Sequence, residues 1–279
     1  MYSITQGTIV SGIRSEKYPD TVCSGIVISA RCDLANCKVH NVYYLIAIPV
    51  REWLLSDEGF HTALLGRIND LEGKLEPKIQ SHQLDWDSMK RFTPDEFERV
   101  ITEQCQDIRK KDRDDWVENF KTFTQYNTRG LPIETKRGIL SQEQRHITNY
   151  LLGVANGQAT HFAYIPEDAY HDNHCLDDGL IVDLQELDRV DAKTADVICA
   201  YEMDSQSHLL SEEEIVAYNR RFFLYDEPGY AVPDCDIKSP WIEYLMQRFS
   251  NSFIRIGVDG PQKTNIQSVL SSVFNGGKQ

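Results

Sequence analysis

Read as apolar and polar positions, the chain falls into three stretches of different period. The first fifty residues hold QGTIVSGI, CSGIVISARC and NVYYLIAIPV, runs rich in Ile, Val and Tyr that are separated by polar links with Pro, Asp and Asn. Such runs predict three strands. Pro49 ends or edges the third, because it has no N–H to give to a ladder.

From Arg51 to about Gly157 the period becomes helical. Trp53, Leu54, Leu64, Leu65, Ile68 and Leu71 recur at helical spacing, with Gly59, Gly66 and Gly73 expected to break the run into short pieces. TPDEFERVITEQCQDIRKKDRDDWVENFKTF predicts one long helix, with Thr93 as N-cap, Pro94 at the first position and Phe97, Val100, Ile101, Ile108 and Trp116 along one side. SQEQRHITNYLLGVANG predicts another, capped by Ser141 and ending near Gly153 or Gly157.

Strand patterns return at THFAYIP and DGLIVDLQELDRV, a hairpin whose long tip is EDAYHDNHCLDD. SEEEIVAYNRRFFLY then reads as an amphipathic helix capped by Ser211. SPWIEYLMQRFSNSF reads as a second, with Ser239 as cap, Pro240 first inside and Trp241, Leu245, Phe249 and Phe253 on one stripe. FIRIGV is either a last strand or the end of that helix. No repeat of twenty to fifty residues is present.

Composition narrows the class. At 279 residues the chain can fill one large core or two modest ones, and 41% hydrophobic with 26% charged residues is the make-up of a globular protein. No apolar stretch approaches the ~20 residues that span a bilayer, and the N-terminus lacks the basic and apolar regions of a signal peptide, so a cytoplasmic protein without membrane contact is expected. Seven scattered cysteines predict reduced thiols.

The net charge of -14 is uneven. Residues 1 to 50 carry four basic and three acidic groups, 51 to 140 carry 15 and 18, and 141 to 279 carry 10 and 22. A chain with this balance lacks the basic footprint of a self-sufficient duplex-DNA binder. RNA contact would have to be local, around RKKDR or TKR. The familiar local signatures for nucleotide hydrolysis, zinc proteolysis and serine hydrolysis are absent.

Three constellations carry potential chemistry. Cys32 and Asp33, with Lys38, follow the second strand: an ammonium nearby raises the thiolate fraction of a thiol, and a carboxylate beside it can orient a donor or act as a base. The plainer reading of the same residues is a strand-to-strand turn with a small apolar cysteine. Cys32, Cys37 and His40 are also spaced like part of a zinc knuckle, to which His171, His174 and Cys175 could add ligands; the alternative is a solvated loop and no cofactor. Finally, Arg255 sits in an apolar segment, where a buried guanidinium needs a carboxylate, and Asp33 is the expected partner.

QGTIVSG, SGIVIS, THFAYIP and GLIVDLQELDRVD together resemble the strand series of the MazF/PemK-type toxins, small SH3-like barrels. The resemblance covers residues 5 to 50 and 159 to 192. In addition, SARCDLANCKV, GLIVDL and SPWIEYLMQRFSNSFIRIG are similar to a group of bacterial proteins sharing S-x-x-C-D-L-x-x-x-K, a V-D-L strand and a final helix ending F-x-R-x-G, associated with prokaryotic conflict systems. Its pattern falls on Ser29, Cys32, Asp33, Lys38, Asp183, Arg248 and Arg255 and leaves out Cys37 and His40. The toxin ribonucleases carry an arginine just before the strand that Val22, Cys23 and Ser24 precede here, so Arg31 is the nearest stand-in.

The resemblance implies an α+β chain: a split SH3-like β-barrel domain in residues 1–50 and 159–192, a helical insertion at 51–158, and a C-terminal helical segment at 193–279 packing on the barrel. Together with the lack of a familiar catalytic signature, the acidic C-terminal half and the helices with large apolar stripes, it leads to the expectation of an accessory or effector protein of a defence (antiphage) or toxin–antitoxin-like system that works by protein–protein contact, with a partner encoded nearby. An endoribonuclease in which Arg31, Lys38 or Arg255 stabilises the transferring phosphate and Asp33 or a histidine moves the proton, a zinc-stabilised binding module, and a homo-oligomer remain open alternatives, with Cys32, Asp33, Lys38 and Arg255 as the catalytic candidates.

Overall fold

The computed structural model of the chain describes residues 4–36, 38–170, 178–192, 195 and 231–254. They include nine α-helices and six strands, and the chain divides into two compact units, Met1–Glu58 with Thr148–Gln279, and Gly59–Ile147. Among the described residues no helix is long and apolar enough to cross a membrane.

The first unit is built on strands β1 (Thr8–Ile13), β2 (Cys23–Val27), β3 (Asn41–Pro49), β4 (Phe162–Ile165), β5 (Leu180–Asp191) and β6 (Val232–Asp236). They form one sheet in the order β4-β5-β3-β2-β1-β6, every neighbouring pair antiparallel, which curls into a half-barrel. The three N-terminal strands and the β4–β5 pair fall where the Ile/Val/Tyr runs place them. β6 lies outside the strand patterns of the sequence, since its residues, VPDCD, carry a proline and two aspartates.

Alternation along the strands sorts the side chains onto two faces. Ile9, Ile26, Leu45, Ala47, Ala163, Ile165, Leu180, Val182 and Leu184 form one face, and the C-terminal helix of the described chain, Trp241–Ile254, covers it with Ile242, Tyr244 and Leu245. The other face runs from Phe162 on β4 through Asp183 on β5, Ile46 on β3 and Gly25 on β2 to Val10 on β1. A single carboxylate thus stands in an apolar row.

In the same unit lie α1 (Arg31–Ala35), between β2 and β3, and α2 (Val50–Leu55), which follows β3 directly. Helix α3 runs without interruption over Asp57–Ser81. This corrects the expectation of short pieces. Phe60, Ala63, Leu64, Ile68, Leu71, Leu75 and Ile79 are all buried at spacings of three and four, and burying a large apolar side chain is worth ~2 kcal/mol against ~1 kcal/mol for a helical glycine. Gly66 has a further reason: a Cβ there would stand 2.9 Å from Nε2 of His146.

The remaining helices are α4 (Trp86–Met89), α5 (Pro94–Gln104), α6 (Lys110–Asn127), α7 (Ile133–Gln142), α8 (Gln144–Ala155) and α9 (Trp241–Ile254). Thr93 caps α5 in a reciprocal capping box with Glu96. The single long helix expected from Pro94 onward is instead two, because the chain leaves helical geometry at Cys105 and folds Phe97 onto Phe120, rings parallel with centroids 3.9 Å apart. Ser141 lies inside α7 and caps nothing. The break comes at Glu143, whose carboxylate accepts from Arg67 Nε (3.0 Å) and the Tyr126 hydroxyl (2.9 Å). At the other end of α8, Gly157 takes a positive φ of 74°, and the N–H groups of Gly157 and Gln158 bond back to Val154 and Gly153.

Candidate functional site

The RCDLANCKVH stretch folds as α1 and the turn after it. None of the α1 residues is buried, and Arg31, Cys32, Asp33, Lys38 and His40 are all exposed. Ser29, just before, is anchored: its hydroxyl accepts the Tyr43 N–H at 2.8 Å, and the Ile28 N–H bonds the Tyr43 carbonyl, which ties the chain leaving β2 to β3. The turn is closed by the backbone, Lys38 N–H to Asp33 C=O at 2.9 Å, and not by the aspartate side chain. The Cys32 thiol makes a weak contact with the adjacent Asp33 carboxylate at 3.7 Å. No side chain from elsewhere among the described residues bonds those of Cys32, Asp33 or Lys38.

Arg255, the partner expected for Asp33, lies outside the described residues, as do Cys37, His171, His174 and Cys175. Of the six metal-ligand candidates only Cys32 and His40 are described. Among the described residues no group of three His, Cys, Asp or Glu is placed to hold a metal ion.

Asp183 has a different environment. It is 1% exposed and sits where β5 bulges: Leu45 of β3 faces Leu187, while the next residue, Ile46, faces Asp183, so Leu184, Gln185 and Glu186 are extra on β5. The bulge releases the Gln185 N–H from the ladder, and the Asp183 Oδ1 accepts it at 3.0 Å. Its Oδ2 accepts from Lys17 Nζ at 2.7 Å and from the Tyr18 hydroxyl at 2.8 Å, both in the link between β1 and β2. Burying a carboxylate demands such partners, and here one cation and two neutral donors supply them.

Aromatic rings surround this cluster. Lys17 Nζ lies 5.8 Å from the ring centroids of Tyr18 and of Phe162. Trp53 of α2 is fully buried, stacks parallel to Tyr150 at 6.2 Å and meets Phe162 edge-on at 5.4 Å. Its indole N–H lies beside the Tyr18 phenol without making a full hydrogen bond. Burial first, and then the Asp183 charge, push the Tyr18 and Tyr150 phenols well above their ordinary range, so both remain protonated donors. Cys23 on β2 is pushed up to about 12 by burial and by Glu186, which makes it an inert thiol. Glu186, 4.0 Å from Lys17, is itself raised by burial and by Asp183, with Lys17 pulling the other way.

Of the residues that the resemblance singles out, Arg248 also has a structural task. From α9 its Nη1 donates to the Gly157 carbonyl at 2.6 Å, and its Nη2 donates to the carbonyls of Ala159 and Phe162, the segment joining α8 to β4. The sequence patterns single out neither Lys17 nor Tyr18, and Trp53 only as an apolar helical position. The available signal was Asp183 itself, a carboxylate in the GLIVDL run, which had to find a cation somewhere.

The described constellation therefore contains a closed ionic cluster and an open, charged turn. Comparison of the chain with family models, with curated proteins and with solved structures finds no match.

Proposed function

We propose that the chain is an accessory or effector protein of a prokaryotic defence or toxin–antitoxin-like system, that its half-barrel is an SH3-like barrel of the MazF/PemK kind, and that it works by binding a protein partner encoded nearby. The observation that carries this reading is the division among the residues of the resembling pattern. Ser29, Asp183 and Arg248 are consumed by the fold, each bonded to a β-strand or to the segment that enters one. Cys32, Asp33 and Lys38 are exposed and hold nothing in place. Polar residues on a surface turn that is positioned by a rigid sheet are available to a partner. The acidic balance of the chain favours a protein over a nucleic acid as that partner.

The test is co-expression with the neighbouring gene products, comparing wild type with a triple Cys32→Ala, Asp33→Ala, Lys38→Ala variant. The reading expects one neighbour to co-purify with the wild type and at least a tenfold weaker association with the variant. Absence of any co-purifying neighbour sinks it.

A ribonuclease reading has one observation on its side: Arg31, Asp33 and Lys38 place two cations and a carboxylate on one exposed turn, the groups that phosphate stabilisation and proton transfer need. Growth arrest on induction, with fragmented RNA that Asp33→Ala abolishes, would favour it over the first reading.

A further inference from the structure

We draw no further inference here: the strongest candidate, the cluster of half-buried Lys17 with buried Tyr18 and Asp183 on the second face of the sheet and the Trp53 indole N–H beside it, belongs to the site already described, and its carboxylate is already taken up by donors of the chain itself.

Discussion

The first unit holds a cysteine, an aspartate and a lysine in two places. In the α1 turn, Cys32, Asp33 and Lys38 are neighbours in sequence and exposed, and their side chains support nothing distant. On the second face of the sheet, Cys23, Asp183 and Lys17 come from β2, β5 and the link between β1 and β2, and Lys17 is 166 residues from its partner. The thiol and the carboxylate have opposite properties in the two places because Cys32 and Asp33 are solvated whereas Cys23 and Asp183 are buried, with Lys17 half-buried beside Asp183. Burial makes Cys23 inert and makes Asp183 indispensable to its donors, while solvent leaves Asp33 free to be read by another molecule.

The comparison breaks most readily at the two aspartates. Asp183→Ala strands the Gln185 N–H and the Tyr18 hydroxyl and leaves Lys17 only the Glu186 carboxylate at 4.0 Å, a loss of about 3 kcal/mol, at the low end for buried pairs because Lys17 reaches solvent. Asp33→Ala should change stability by less than about 0.5 kcal/mol, as for an exposed position whose carboxylate has only a weak contact with the adjacent Cys32 thiol. Urea unfolding of the two variants decides it, and equal costs would refute the contrast.

A somewhat smaller loss, about 2 kcal/mol, is expected for Arg248→Met, since the carbonyls of Gly157, Ala159 and Phe162 lose a charged donor while the side-chain bulk is kept. Native-state hydrogen exchange should show the opening concentrated around residues 157–162. Uniform loosening would mean that the arginine serves packing in general.

Alkaline pH sharpens the picture further. Cys23 binds its proton more tightly in the folded chain, up to about 12, than in the unfolded chain at ~8.5. Between those values unfolding releases a proton, so stability falls as pH rises through that window and is unaffected by this group below it. Burial raises Cys105 in the same direction, so Cys23→Ala should reduce, and Cys23→Ala with Cys105→Ala should flatten, the fall of the urea midpoint between pH ~8.5 and the onset of tyrosine ionisation near ~10. A slope that persists in the double variant would assign the effect elsewhere.

The least disruptive probe is alkylation of the native protein, read by mass spectrometry. Cys32 should react, and the buried Cys23, Cys105 and Cys235 should not until the chain is unfolded. Labelling of Cys23 at the rate of Cys32 would show that the second face is open to solvent.

Local patterns were legible where one periodicity acted alone. The strand runs before Pro49, the Thr93 cap and the glycine after α8 could all be read from a few adjacent residues. Long-range packing decided the rest. Helix α3 survives three glycines and Pro77 because its buried stripe outweighs them, and the α5–α6 break exists because Phe97 meets Phe120, which no window around Cys105 reveals. The candidate site divides in the same way: RCDLANCKVH is visible as a motif, whereas the partners of Asp183 depend on which link crosses the sheet. The helix read at SEEEIVAYNRRFFLY, and Arg255, lie outside the described residues.

The α1 turn is proposed to serve a partner, while the Asp183 cluster serves the fold. The most direct test is affinity capture of co-expressed neighbouring gene products on the Cys32, Asp33 and Lys38 triple-alanine variant, with its urea midpoint first shown to equal that of the wild type. Wild type is expected to retain one neighbour and the equally stable variant to release it. Retention of that neighbour at wild-type level by the variant would contradict the partner role of the α1 turn.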